Sequence, residues 1–318
     1  MRIGITASGG GHTGYAVALA QRIYGKAEIV FYIPTGDEWS RSKVYRYGDV
    51  IEIRKARGPN EGFQKLLTGI PKAFFESIDK VKNIDVFVST GSNHSVPPAL
   101  VAKFKRVPVI NIESSVRFTR PSSSAKYLSY ISDLTVLQWE EQKKILPRGR
   151  FFGPLYERPE YEIRDEGYIL VTAGTYGFKE LFDAIVKTGL DNIVLQTGRV
   201  DPRPYKETKK NWVIFDFDPE INRWIARASL VITHLGKTVI DAALTYKKPT
   251  VVIPNPNWRL TAGYEDAKIL AEKLGVCYQE SLDPGKLLEI IEKCRGVKPR
   301  EYRDGAEELA REILKRFS

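Results

Sequence analysis

Short apolar runs, glycine-bearing turns and longer amphipathic stretches alternate along the whole chain. Runs near 2–7, 27–33, 50–53, 84–89, 108–112 and 134–137 have the length and β-branched content of strands. Between them, segments 13–24, 62–82, 96–105 and 138–146 read as helices. Strands that are apolar throughout are buried on both faces, and alternation with helices marks a parallel sheet covered on both sides. The pattern lapses at Phe152-Gly153-Pro154-Leu155-Tyr156-Glu157-Arg158-Pro159 and stays charged as far as Gly167. Prolines and glycines without an apolar period predict a linker over 154–166. Strands then recur near 168–172, 192–196, 213–216, 230–233, 250–253 and 276–278, with a helix from Phe178. A last helix near 302–317 sets Ala306, Leu309, Ala310, Ile313 and Leu314 at helical spacing. The expectation is an α/β chain of two Rossmann-like halves facing one another across a cleft. Residues 1–153 form the first, 167–300 the second, and 301–318 a helix packing back towards the first.

A length of 318 residues suits two domains of ordinary size. The longest apolar runs are too short to span a bilayer and the amino terminus lacks a signal-peptide pattern, so the expected location is cytoplasmic. Cys277 and Cys294 have neither metal-site nor disulfide-framework spacing, and no His, Cys or acidic cluster predicts a metal or other cofactor. The formal charge of +10 suits nucleic acid, an anionic membrane face or phosphorylated substrates. Without a nucleic-acid motif or a stacking array of aromatics, nucleic acid is not expected as a partner.

The three histidines each sit in a glycine-bearing turn directly after a strand-like run. Ser8-Gly9-Gly10-Gly11-His12-Thr13, Gly91-Ser92-Asn93-His94 and His234-Leu235-Gly236-Lys237-Thr238 are those turns. In an open α/β sheet this is the ligand crevice, where bare backbone N–H groups face anions. Gly9, Gly11 and Gly14 satisfy the spacing of a dinucleotide turn, a weak signal alone. An imidazole inside that turn points instead to a transferase, in which a group of near-neutral pKa takes or gives a proton. Gly-Lys-Thr at 236–238 is no P-loop, because Val231 stands where the first glycine is needed. A helix starting at Lys237 or Thr238 would present N–H groups to a nucleotide diphosphate, with Lys237 adding charge.

Ser8-Gly9-Gly10-Gly11-His12-Thr13, Asp85-Val86-Phe87-Val88-Ser89-Thr90-Gly91 and Pro108-Val109-Ile110-Asn111-Ile112-Glu113-Ser114 resemble one subunit of a two-subunit enzyme. It is the anchor subunit of the transferase that adds the second N-acetylglucosamine to a dolichol-diphosphate-linked sugar. The stretch Phe118 to Lys126 and Leu137-Gln138-Trp139 resemble it too. Leu170-Val171-Thr172-Ala173-Gly174-Thr175, Val194-Leu195-Gln196-Thr197-Gly198 and Ala228 to His234 resemble the donor-binding subunit, as do Gly236 and Lys248 to Pro254. The resemblance covers nearly the whole chain as a fusion, so no separate donor subunit is expected. The bacterial lipid II glycosyltransferase is a more distant relative, with the two-domain GT-B arrangement.

The resemblance implies an inverting transfer of N-acetylglucosamine or a related sugar from a UDP-sugar to a polyprenyl-diphosphate-linked sugar, without a metal at the transfer centre. It implies His12 and Glu113 as catalytic residues, either one the base and the other its orienter. Gly10, Gly11, Thr13, Gly91, Asn93 and His94 would hold the acceptor's diphosphate. Gly174, Thr175, Gln196, Gly198, Phe215, His234, Gly236, Lys237, Thr238 and Asp241 would hold the donor, Asp241 by its ribose. One departure matters: the family's His-Gln pair is replaced by Ala262 and Gly263, leaving Tyr264, Glu265 and Asp266 to contact the donor sugar.

A lipid-bound acceptor implies a peripheral membrane surface as a partner. The 62–82 segment suits one: Phe63, Leu66, Leu67, Ile70, Phe74, Phe75, Ile78 and Val81 are interspersed with Lys65, Lys72, Lys80 and Lys82. Gly69 and Pro71 predict a break in it. Alternatives are the same fold acting on another lipid-linked or surface-polysaccharide acceptor, and a nucleotide-sugar epimerase. A dehydrogenase is disfavoured because Ile33 to Asp37 is a poor ribose-binding strand end, and a non-catalytic binding protein remains a further class.

Overall fold

The computed structural model describes residues 1–57, 64–258 and 262–317; Phe63 and Thr261 lie outside that description. The chain divides into two compact units, Met1–Glu157 with Arg303–Ser318, and Arg158–Tyr302.

The first unit runs β1 (Arg2–Thr6), α1 (Gly10–Ile23), β2 (Glu28–Pro34), α2 (Glu38–Val44), β3 (Asp49–Ile53), α3 (Gln64–Lys80), β4 (Val86–Ser89), α4 (Ser92–Phe104), β5 (Val109–Ile112), α5 (Ser123–Leu128), β6 (Leu134–Leu137) and β7 (Arg150–Phe151). Its strands are all parallel, in the order β3-β2-β1-β4-β5-β6-β7. Alternate residues of each strand feed opposite faces. Phe31 packs with Ala16, Leu19 and Ile23 of α1, whereas Val30 and Tyr32 pack with Ala99 and Ala102 of α4.

The second unit runs β8 (Ile169–Thr172), α6 (Lys179–Lys187), β9 (Ile193–Gln196), α7 (Arg203–Thr208), β10 (Val213–Phe215), α8 (Ile221–Arg227), β11 (Leu230–Thr233), α9 (Lys237–Ile240), β12 (Thr250–Val252), α10 (Tyr264–Leu274), β13 (Cys277–Tyr278) and α11 (Pro284–Cys294). This sheet is parallel too, ordered β10-β9-β8-β11-β12-β13. Ile169, Val171, Leu195 and Ile232 face Phe182, Ile185 and Ile291, while Leu170, Val194 and Val231 face Ile225, Ala242 and Tyr246. A final helix, α12 (Gly305–Phe317), sends Ala306, Leu309, Ala310 and Ile313 into the core of the first unit.

The units divide between Glu157 and Arg158, within the 154–166 stretch, whose flanks are packed: Leu155 is fully buried, while Arg164 N and Glu166 N bond to Ala226 O and Arg227 O. Three local expectations are corrected. Helix α4 begins at Ser92 rather than near Pro97, because Ser92 adopts a left-handed φ of 70° that turns the chain into the helix at once. The 138–146 segment is a short 3₁₀ turn, Glu140–Lys144. Helix α3 passes through Gly69 and Pro71 without a break, and a Cβ at Gly69 would meet the Ala56 carbonyl oxygen at 1.7 Å. Gly69 is thus there for a close approach of two backbones. Among the described residues no helix is long and apolar enough to cross a membrane.

Candidate active site

Each sheet has one topological switch point, β1/β4 in the first unit and β8/β11 in the second, where consecutive connections leave in opposite directions. Ligands of open α/β sheets bind outside the strand ends there. In both units a histidine stands at that point.

In the first unit Gly10, Gly11, His12 and Thr13 form the first turn of α1, one residue beyond Gly9 with φ 82°. The polar residues around it interlock. Gly9 N donates to Thr13 Oγ1 at 2.9 Å and to Ser40 Oγ at 3.0 Å, and Ser40 Oγ donates to Asp37 Oδ2 at 2.8 Å. Ser8 Oγ and Ser92 Oγ are 2.7 Å apart, tying the β1 turn to the β4 turn. Gly91, at φ 99°, lies against the imidazole: a Cβ there would sit 2.9 Å from His12 Cε1.

His12 Nδ1 lies 2.7 Å from the Thr90 carbonyl oxygen, an acceptor only, so Nδ1 carries the proton and Nε2 keeps its lone pair. Burial pulls the imidazole below its ordinary pKa; the Thr90 carbonyl opposes this, and the charges of Arg117 and Lys55 pull it further down. The result is a neutral imidazole with a fixed tautomer.

Glu113 does not orient His12 as expected; the Thr90 carbonyl does. The Glu113 carboxylate is fully buried, with Oε1 accepting Ser114 N at 2.7 Å and Oε2 accepting Ser122 N at 2.9 Å. Burial raises its pKa against those two hydrogen bonds. His94 is also corrected. It is only 2% exposed, faces the Tyr32 carbonyl oxygen at 3.3 Å, and burial pushes its pKa down to about 4. It is a core imidazole, while its neighbour Asn93 remains partly exposed.

In the second unit the turn after β8 and the turn after β9 are pressed together. A Cβ on Gly198 would lie 2.5 Å from Gly174 O and 2.6 Å from Thr175 O, and Arg199 N donates to Thr175 O at 2.9 Å. The ring of His234 lies against Gly174 and Gly236, and burial pushes its pKa down to about 4. Gln196 is buried and accepts from Thr172 Oγ1 at 3.1 Å; Phe215, at the next strand end, packs on Trp224 with ring centroids 5.4 Å apart. Lys237 and Thr238 open α9 beside them.

Asp241 is not presented as a ribose ligand. It forms a hydrogen-bonded ion pair with Lys237, both side chains nearly buried, at the start of a π-helical turn, Asp241–Thr245. Asp266 is likewise engaged, accepting Gly263 N at 2.9 Å as a helix cap. Arg117, Lys55, Tyr15 and Ser40 were missed in the sequence. Arg117, Lys55 and Ser40 are related to His12 only once the segments after β5 and β3 and helix α2 come beside α1; Tyr15 shares α1 with His12, but its partner Ser115 is 100 residues away. Among the described residues no group of three or more His, Cys, Asp or Glu could hold a metal ion.

Both units are similar to known proteins. Residues 3–155 match the family "Oligosaccharide biosynthesis protein Alg14 like", and residues 168–317 match the "Glycosyltransferase family 28 C-terminal domain". The chain is 25% identical over 336 aligned positions to the UDP-N-acetylglucosamine–N-acetylmuramyl-(pentapeptide) pyrophosphoryl-undecaprenol N-acetylglucosamine transferase of Caldicellulosiruptor saccharolyticus, covering 92% of this chain and 89% of the relative. The protein of the same name from Prochlorococcus marinus is 27% identical over 214 positions, covering 62% of this chain and 58% of the relative. MurG of Acinetobacter baumannii superposes with a TM-score of 0.63 at 19% identity, over 99% of this chain and 94% of that structure. The two parallel sheets with their alternating helices, the two domain matches and these relatives place the chain among the glycosyltransferases of GT-B fold.

Proposed function

We propose that the chain is a membrane-associated, inverting glycosyltransferase moving N-acetylglucosamine from UDP-GlcNAc to a polyprenyl-diphosphate-linked sugar, in N-glycan precursor assembly. The observation that carries this reading is His12, held by its Nδ1 on the Thr90 carbonyl at the switch point of an Alg14-like half, in one chain with a family 28 donor half. The named activity of the relatives, GlcNAc transfer to a pyrophosphoryl-polyprenol, supports the donor and the diphosphate class of acceptor. In this reading Nε2 of His12 takes the proton of the acceptor hydroxyl. That oxygen bonds to the anomeric carbon as the carbon's bond to the UDP oxygen breaks. The glycine turns around Gly174, Gly198 and Gly236 receive the uridine diphosphate, and transfer needs no divalent ion.

A membrane surface as partner is supported by α3, where Leu67 is 73% and Phe75 68% exposed among Lys65 and Lys72. The acceptor sugar separates two readings, because the names of the relatives give a muramyl acceptor. Labelled UDP-GlcNAc incubated with GlcNAc-diphosphate-polyprenol, with a muramyl-peptide-diphosphate-polyprenol, and in the presence of a chelator decides it. Label entering the first lipid with chelator present is expected. Transfer only to the second assigns the chain to wall-type acceptors, and transfer to neither overturns the proposal.

A further inference from the structure

Tyr15 lies three residues after His12, on the same face of α1. Its hydroxyl accepts Ser115 N at 3.0 Å and pairs with Ser115 Oγ at 2.8 Å, which seats the loop after β5 on the first turns of α1. Buried side chains hold the rest of that loop's backbone. Glu113 spans it with both carboxylate oxygens, on Ser114 N and Ser122 N. Trp139 Nε1 donates to Ser115 O at 2.7 Å, and Gln142 Nε2 donates to Ser114 O at 2.7 Å and Arg117 O at 2.9 Å. A loop that merely joined a strand to a helix would leave its backbone to water. This one commits several buried polar groups, each costly to desolvate without a partner. What it carries, two residues beyond the Tyr15–Ser115 link, is Arg117.

We infer that Arg117 is a further binding residue, for the diphosphate of the acceptor beside His12, and that Glu113 is a positioning residue holding the 114–122 loop that carries it. The inference rests on the acceptor class proposed above. A guanidinium fork matches phosphate oxygens in two places at once. The charges acting on His12 are those of Arg117 in this loop and Lys55 in the segment after β3, and the Thr90 carbonyl of the β4 turn holds its Nδ1. Arg117 therefore has two effects, drawing the diphosphate in and keeping the neighbouring imidazole neutral. Glu113, with both oxygens already accepting backbone amides, acts through the loop.

Full-length Arg117→Gln, Arg117→Lys and Glu113→Gln test this, with UDP-GlcNAc and a short-chain, water-soluble prenyl-diphosphate-GlcNAc acceptor. Arg117→Gln should raise the acceptor KM about tenfold or more with the donor KM unchanged, the size of a lost charge-assisted hydrogen bond; Arg117→Lys should recover part of it. The chain has three histidines, so imidazole NMR resolves His12, assigned through His12→Asn. Its titration midpoint should move to higher pH in Arg117→Gln, and Glu113→Gln should reproduce both effects in weaker form. A folded Arg117→Gln with unchanged acceptor KM and an unmoved His12 midpoint overturns the inference. So does Glu113→Gln losing kcat alone, which would make Glu113 the base. Should the wild type transfer no sugar, the proposed function fails separately. Calorimetry with geranyl diphosphate then decides: binding lost in Arg117→Gln supports the inference, and binding unaffected by it, or absent from the wild type, overturns it.

Discussion

Gly91 bears on catalysis through space rather than chemistry. An alanine there would adopt φ 99° at a cost of about 1–2 kcal/mol, and its methyl would press on the His12 ring from 2.9 Å. Gly91→Ala should therefore lower turnover far more than it lowers the melting temperature. His12→Asn should lose about 100-fold or more in kcat while keeping its fold, the usual range for lost acid–base help. Steady-state rates beside thermal melts separate the two effects, and wild-type turnover in His12→Asn removes His12 as the base. The buried histidines give a second prediction. His94 and His234 have folded pKa values near 4 against an ordinary 6.5. Above pH 6.5 both are neutral whether folded or not, so neither makes stability depend on pH. As pH falls from 6.5 towards 4 the unfolded chain takes up protons that the folded chain refuses, and stability is lost, by roughly 3 kcal/mol for each group. Urea unfolding at pH 7 and pH 5 should show about 2 kcal/mol of this loss for each group, and His94→Asn should flatten the slope. An unchanged slope would mean that the ring is charged in the fold.

At the scale of elements, α3 turns out to be two surfaces on one helix. Phe74 packs towards the core with Ile78, whereas Leu67 and Phe75 stand in solvent beside Lys65 and Lys72. Leu67→Ser with Phe75→Ser should weaken binding to anionic liposomes and leave the melt nearly unchanged. Phe74→Ser should instead destabilise the unit by about 2 kcal/mol or more. Equal liposome binding by the double variant would move the membrane face elsewhere. The sequence shows α3 as amphipathic, yet cannot separate Phe74 from Phe75, because both lie near the boundary of one stripe. The central strands were legible because parallel strands buried on both faces are continuous apolar runs, as in Val86-Phe87-Val88. Short surface helices such as α2 and α7 were not, since six or seven residues carry too little period. In the site, the glycine turns and His12 were legible, because glycine at positive φ leaves a mark in sequence. The Tyr15–Ser115 link and the Lys237–Asp241 pair were not. The first joins residues 100 apart, and the second depends on a π-helical turn with no signature in residue type.

For the whole molecule, the return of the last helix makes the two units unequal. The first unit owns both ends of the chain, and the second is one uninterrupted segment, Arg158–Tyr302. Removing 303–318 strips fully buried Leu309 and Ile313 from the first core, worth about 1.5–3 kcal/mol each. It also removes Asp304, 2.7 Å from the Arg22 guanidinium, whose side chain is 1% exposed. A buried charge left without its partner costs about 3–5 kcal/mol. Together these losses rival the whole stability of an ordinary domain, roughly 5–15 kcal/mol. A chain ending at Tyr302 should therefore lose the cooperative unfolding of its first unit. Its second unit should still melt cooperatively, as should residues 158–302 expressed alone. Differential scanning calorimetry reads both outcomes. A 1–302 chain that melts like the full-length protein would show that α12 only lines the surface of a core complete without it.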